Sequence, residues 1–167
     1  MTSIQKNEAS LTVKKAFEAV GLKWEGTFAE AGEGSIHAVQ RKLQDRIKEI
    51  PYVLNTEIML GLSYHADPKA ERFIHYAVVE VERTEEIPNG MVTVSVPTLS
   101  YATCKHVKNQ KVDQSYKNIY SWIKKQGYQK IHVDGLTHFE QYPMQQDLST
   151  NDLEFIIMIP VLDPRNM

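Results

Sequence analysis

Residues 58–65 read IMLGLSYH, and residues 73–82 read FIHYAVVEVE. The first run sets Ile58, Leu60, Leu62 and Tyr64 on one side of an extended chain and Met59, Gly61 and Ser63 on the other. That period of two marks a strand. An Ala66-Asp67-Pro68 turn leads into the second run, a strand over Phe73 to Val81 that passes into the alternation Val79-Glu80-Val81-Glu82. Upstream, Ile36, Val39, Leu43 and Ile47 recur at spacings of three and four, with Lys42, Asp45, Arg46 and Lys48 on the other faces. This predicts an amphipathic helix, capped by Ser35 after Gly32 and Gly34 and stopped by Pro51. Leu11 to Thr27, rich in Val, Phe, Leu and Trp, predicts one strand before it, and the polar residues at the start are expected to fray.

The order β-α-β-β then returns. The loop Thr84 to Gly90, with Pro88-Asn89-Gly90, reads as the seam. Met91 to Val107 is β-rich and broken at Pro97. Asp113 is the expected cap of a helix with the stripe Tyr116, Ile119, Tyr120 and Ile123, ending at Gly127. Ile131 to Tyr142 and Leu153 to Val161 read as strands around a polar loop, Pro143 to Asp152. Gly61-Leu62-Ser63-Tyr64 aligns with Gly135-Leu136-Thr137-His138, and Ala77-Val78-Val79 with Phe155-Ile156-Ile157. The prediction is one α+β domain over residues 1–167, made of two βαββ repeats at about 11–83 and 90–163. Each sheet-plus-helix unit has an apolar face that it buries by pairing with the other.

The bulk numbers agree. The chain has 167 residues, 42% hydrophobic and 24% charged, with a formal charge of −2 and scattered Lys and Arg. That is enough chain for one core, and it lacks the concentrated basic face that direct nucleic-acid binding needs. Cys104 is the single cysteine, so an internal disulfide is excluded and a reducing, cytoplasmic setting is expected. The start MTSIQKNEAS has no apolar run of the secretory kind, and Phe155 to Ile159 is too short to span a bilayer. About ten residues before the first strand are too few for a helix-turn-helix unit.

Read in order, Ile87-Pro88-Asn89-Gly90-Met91, Val96-Pro97, Tyr101-Ala102 and the helix Tyr116-Lys117-Asn118-Ile119-Tyr120-Ser121-Trp122 resemble GyrI-like effector-binding domains. The closing Phe139-Glu140-Gln141-Tyr142 and Ile159-Pro160-Val161 are similar to the same family's last strands. The resemblance covers roughly residues 11–163 and is strongest from Ile87. It implies the SOUL/GyrI-like fold, with the two βαββ units related by a pseudo-twofold axis, and a ligand groove between the halves. It also implies kinship with the ligand-sensing domains of bacterial AraC-type and MerR-type multidrug regulators and with free-standing relatives. The carboxylate matching Glu140 is implied to be the key polar contact for hydrophobic, often cationic ligands. Where relatives often carry a Glu and an aromatic residue near the Ile-Pro pair, this chain has Ile156 and Met158, so the usual pocket wall is expected to lose a carboxylate and a ring.

From the residues alone, Glu140 shares a strand face with His138 and Tyr142, while Phe139 points the other way. A carboxylate among rings suits an organic cation, although an exposed strand Glu is the ordinary alternative. Trp24, Tyr64, Tyr101, Trp122 and Met158 are the further candidate wall residues, with Tyr76 beside them; Tyr64 is singled out as the repeat partner of His138. Six histidines lack compact ligand spacing, so no metal site is expected. No Cys-x-x-Cys-His haem motif occurs, and no cofactor is expected. Cys104 and His106 stand about 6–7 Å apart along a strand, a poor nucleophile pair.

The leading expectation is therefore a non-enzymatic small-molecule binder, a sensor or sequestering module linked to transcription regulation or drug response. The alternatives are a hydrolase of small electrophiles using Glu140 with Tyr142, and a protein-binding inhibitor of the gyrase-inhibitor type. The expected partner is a small organic ligand, with a protein partner as the alternative and no direct contact to nucleic acid or membrane. The expected assembly is a monomer or weak dimer, since the Val79–Glu82 edge can pair chains or, through its charges, keep them apart.

Overall fold

The computed structural model describes residues 4–150 and 152–162. The far ends of the 1–167 domain reading, the close of the second repeat at 163 and one residue of the 143–152 loop lie outside the described residues. The strands are β1 (Ala9–Lys14), β2 (Phe17–Gly26), β3 (Ile58–Tyr64), β4 (Phe73–Val81), β5 (Val92–Val96), β6 (Leu99–His106), β7 (Gln129–Lys130), β8 (Leu136–Pro143) and β9 (Phe155–Leu162). The helices are α1 (Phe28–Gly32), α2 (Ser35–Arg46) and α3 (Val112–Lys125).

Among the described residues, all nine strands join one sheet in the order β1-β6-β9-β8-β3-β4-β2-β5, with β7 on β9 and every ladder antiparallel. The centre of the sheet is the β3–β8 ladder, in which Gly61 faces Glu140 and Ser63 faces His138. Helix α2 packs on β2 and β4, and α3 packs on β6 and β7. The strip between the helices, above β3 and β8, is left as a cleft.

Period-two alternation divides the core. One set, with Val20, Met59, Ala77, Val79, Ala102 and Ile157, meets Leu43 of α2 and Ile119 and Ile123 of α3. The other, with Phe17, Leu60, Leu62, Val78, Tyr101, Phe139 and Met158, buries itself using strand side chains, because the sheet curls around it. Among the described residues no helix is long and apolar enough to cross a membrane.

Several expectations are corrected. The Leu11–Thr27 strand is two strands, and β1 leaves the first half to pair with β6 in the second. The start is not frayed over its described part: Gln5 Nε2 donates to Ser115 Oγ at 2.8 Å, and Asn7 Nδ2 donates to the Lys105 carbonyl at 2.9 Å. Ser35 begins α2 but does not cap it; Gly34, at φ 99°, precedes it. The side-chain cap lies upstream, where Thr27 and Glu30 form a reciprocal capping box on α1. Asp113 sits inside the first turn of α3, and Lys111 occupies the cap position.

The Ile131–Tyr142 strand is shorter, because Asp134 and Gly135 take positive φ and turn the chain before Leu136. The Pro143–Asp152 loop buries Met144 and Leu148 and is not simply polar. The Val79–Glu82 edge is not an edge: β4 lies between β3 and β2, and Glu80 accepts from Lys14 Nζ at 2.7 Å. In the β3–β8 ladder Ser63 faces His138, and Tyr64 pairs with Leu136 across a bulge.

Candidate functional site

The cleft holds a cavity of about 780 Å³, floored by β3, β4 and β8 and walled by α1, the start of α2 and α3. Strand alternation delivers His138, Glu140 and Tyr142 to it together. Helical spacing delivers Tyr116 and Tyr120 from α3, one turn apart on the same face. His75 comes from β4, and His37 from α2.

Glu140 is half-buried and is held by two phenols. Tyr142 donates to its Oε1 at 2.6 Å, and Tyr116 donates to its Oε2. Burial pushes the Glu140 carboxyl above its ordinary value, while these two hydrogen bonds and the His37 charge pull the other way. Burial, followed by the Glu140 charge, pushes both tyrosines well up, so they remain donors.

His138 shares a 2.9 Å hydrogen bond with the Tyr120 hydroxyl through Nε2, and another of 2.9 Å with Thr137 Oγ1 through Nδ1. Burial, helped by Lys130 and His132, lowers it to about 4. His75 is lowered to about 3, by burial and then by His37. The cavity thus presents the carboxyl groups of Glu140 and Glu33, the neutral imidazoles of His75 and His138, and rings, and no Lys or Arg is among the described residues lining it. Such a wall attracts positive charge and offers aromatic faces to it.

The other sequence candidates lie elsewhere. Trp24 packs on Phe73 at 5.1 Å, behind the cavity wall. Tyr64 stands against Tyr76 at 5.4 Å on the opposite face of the sheet. Tyr101 and Met158 are buried on that same face beside Phe139, and Ile156 packs there too. Ile156 and Met158 therefore take nothing from the wall around Glu140, contrary to the expectation. Trp122 packs on Tyr128 at 5.6 Å.

Tyr116, Tyr120, His75 and His37 were not among the sequence candidates for the site. The available signal was two tyrosines on a helix stripe, whose hydroxyls need partners when buried. A second cavity, about 600 Å³, opens where β8 and β9 part, and shares Tyr142 and Phe155 with the first. It has no buried charge at its centre, so the chemistry favours the Glu140 cavity.

No group of three or more potential ligands for a metal ion occurs among the described residues. His132 instead lies 3.6 Å from Asp67. Cys104 is buried and its thiol is pushed up to about 11, far from a thiolate, while His106 Nδ1 shares a 2.7 Å hydrogen bond with Ser115 Oγ.

The raised Glu140 has a stability consequence. A carboxyl that holds its proton more tightly when folded contributes most below its ordinary value of 4.5, and that contribution is lost as pH rises through the folded value. Glu140→Gln is therefore expected to melt above the unsubstituted protein at pH 7, with the gap closing as the pH falls to about 4.5. Paired thermal melts check this, and a variant less stable at pH 7 would contradict it.

The model of the GyrI-like small molecule binding domain family matches residues 8–162. The fold is similar to that of the EcmrR C-terminal domain, at 13% identity and a TM-score of 0.69, covering 94% of this chain and 98% of that one. It is similar to SAV2435, solved bound to tetraphenylphosphonium, at 17% identity and a TM-score of 0.68, covering 95% and 96%. A hydrolase from Listeria innocua shares it at 9% identity and a TM-score of 0.57, covering 95% and 94%. No curated protein matches the sequence.

Proposed function

The chain belongs to the GyrI-like small molecule binding domain family, and we propose that it is a ligand sensor or sequestering module for hydrophobic cations. The observation that carries this reading is Glu140: a half-buried carboxylate on the cavity floor, steadied by Tyr116 and Tyr142, with no Lys or Arg among the described lining residues. A cation entering there meets fixed negative charge where water is scarce, plus ring faces contributing roughly 0.5–2 kcal/mol each. The phosphonium bound in the SAV2435 structure supports the ligand class.

The two halves, about 11–83 and 90–163, act in this proposal as duplicated units with the ligand between them. The setting is cytoplasmic, and any effect on transcription passes through a partner or through buffering of an effector.

The test is a thermal-shift and calorimetric titration with tetraphenylphosphonium. Ligand at 100-fold its dissociation constant should stabilise the fold by about 2.7 kcal/mol. Glu140→Gln should weaken binding by about 2 kcal/mol, or roughly 30-fold, because the buried counter-charge is gone. Undiminished affinity in the variant would remove Glu140 from the site.

A hydrolase is the second reading, favoured by the same carboxylate lying hydrogen-bonded to two phenols that can pass a proton. It predicts product formation that Glu140→Gln abolishes while binding survives.

A further inference from the structure

Residues 5–7 precede β1, yet their side chains reach the helix that carries two of the cavity's tyrosines. Gln5 Oε1 accepts from the Lys111 backbone N–H at 2.7 Å. Gln5 Nε2 donates to the Lys111 carbonyl at 3.1 Å and to Ser115 Oγ at 2.8 Å. Lys111 holds the cap position of α3 and makes no side-chain cap of its own among the described residues. Gln5 therefore caps the helix from a distant part of the chain, pairing a backbone donor that the helix itself leaves over. Asn118, three residues after Ser115, donates to the Gln5 carbonyl at 3.1 Å and to Asn7 Oδ1 at 2.8 Å. Asn7 in turn donates to the Lys105 carbonyl and to Gln110 Oε1, each at 2.9 Å. Two residues later the chain joins the sheet, where Ala9 pairs with Cys104, so the arm is anchored at β6 and lies against α3.

These bonds grip α3 on either side of Tyr116. The buried residues of the helix are Ser115, Ile119 and Ile123, spaced by four. Ile119 and Ile123 join the apolar core, but the first of the three is a serine. Its hydroxyl is shared between Gln5 and His106 Nδ1, the latter at 2.7 Å. The turn that carries Tyr116 is thus tied down by hydrogen bonds where the next turns use apolar contact. From there the Tyr116 hydroxyl reaches Glu140 on β8, although α3 itself packs on β6 and β7. A contact made at such reach is only as well placed as the residues that support it.

We propose that residues 5–7 are a positioning arm of the ligand site, in which Gln5 and Asn7 hold the first turns of α3 where Tyr116 donates to Glu140. Neither residue is among those lining the cavity, so both act through Tyr116. The proposal rests on the reading that Glu140 is the charge that meets a cation. Its consequence is electrostatic. The Tyr116 hydrogen bond favours the ionised carboxyl, against burial. Freed from the arm, Tyr116 withdraws, and Glu140 keeps its proton to higher pH. The other groups around Glu140 sit on other elements: Tyr142, His37, Glu33 and the neutral His75 and His138. Tyr120, one turn further along α3, bonds His138 instead.

The experiment is a carbon-13 NMR titration of the Glu140 side-chain carboxyl, with calorimetry of tetraphenylphosphonium on the same samples. It compares the unsubstituted chain, Gln5→Ala with Asn7→Ala, Tyr116→Phe, and all three substitutions together. The arm pair should move the Glu140 titration to higher pH. On its acid side, phosphonium affinity should fall about fivefold, the factor that one net hydrogen bond contributes. Tyr116→Phe should shift the titration in the same direction, and adding the arm pair to it should shift it little further. A lower melting temperature with an unmoved Glu140 titration would reduce the arm to a structural strap and overturn the proposal. A full arm shift on top of Tyr116→Phe would overturn it too, because the effect would not pass through that hydroxyl. Where the pair fails to fold, Gln5→Ala alone carries the same comparison. No phosphonium binding by the unsubstituted chain would sink the cation reading, while the carboxyl titration, which needs no ligand, still decides the role of the arm.

Discussion

Gly21→Ala is expected to destabilise the domain by roughly 3 kcal/mol or more, the upper end of overpacking costs. Gly21 lies in β2, paired to Val78 of β4 on one side and Val92 of β5 on the other. A Cβ there would sit 2.1 Å from the Ala77 carbonyl oxygen and 2.7 Å from Val78 Cα. Both are backbone atoms of a strand laddered on each side, so neither can rotate away as a side chain would. Relief requires β2 to move off β4, and that loosens the ladder on which α2 packs.

Gly32→Ala is the control, because nothing lies within 4 Å of its Cβ position. That variant should stay within about 1 kcal/mol of the unsubstituted protein. Urea denaturation of the two variants decides the matter, and a Gly21→Ala loss below about 1 kcal/mol would show that β2 yields.

Where local period carries the information, the sequence and the structure agree. The alternation from Ile58 and from Phe73 marks β3 and β4, ending at Tyr64 and Val81. Pro97 separates β5 from β6, since it cannot donate into the ladder. The division of Leu11–Thr27 was not legible, because both pieces have strand composition and their separation depends on β1 finding β6, a partner about ninety residues away. Pairing at that range has no local signature.

The candidate site was half legible for a related reason. Period two put His138, Glu140 and Tyr142 on one face, and the structure gathers them in one cavity. The same rule cannot say which face of a strand meets helices when both faces are apolar, as in β9. Met158 of β9 lies on the helix-free side, as does Tyr101 of β6. Tyr116 and Tyr120 read as core because they lie on the stripe of α3, and only the neighbouring carboxylate and imidazole give their hydroxyls a purpose.

Phe139→Ala is expected to cost roughly 3–5 kcal/mol, as large aromatic truncations in closed cores do. Phe139 is 0% exposed, with its ring 5.7 Å from Phe17 and 5.5 Å from Tyr101. In register it faces Leu62 of β3 and Met158 of β9, so it is wedged at the centre of the sheet. Among the described residues the core on that side is made of strand side chains alone, with no helix to settle into the space left behind. Phe139→Leu keeps most of the volume and should cost clearly less.

The residue next along the strand is Glu140, which points the other way into the cavity. The curled core under the sheet therefore fixes the height and tilt of the carboxylate above it. Phe139→Ala should weaken tetraphenylphosphonium binding even at temperatures where the variant stays folded, although Phe139 does not line the cavity. Denaturation and calorimetry on one preparation separate the two effects. A loss under about 1.5 kcal/mol would mean that the sheet collapses inward to refill the gap. Full stability loss with unchanged affinity would show instead that Tyr116 and Tyr142 hold Glu140 in place without help from the floor.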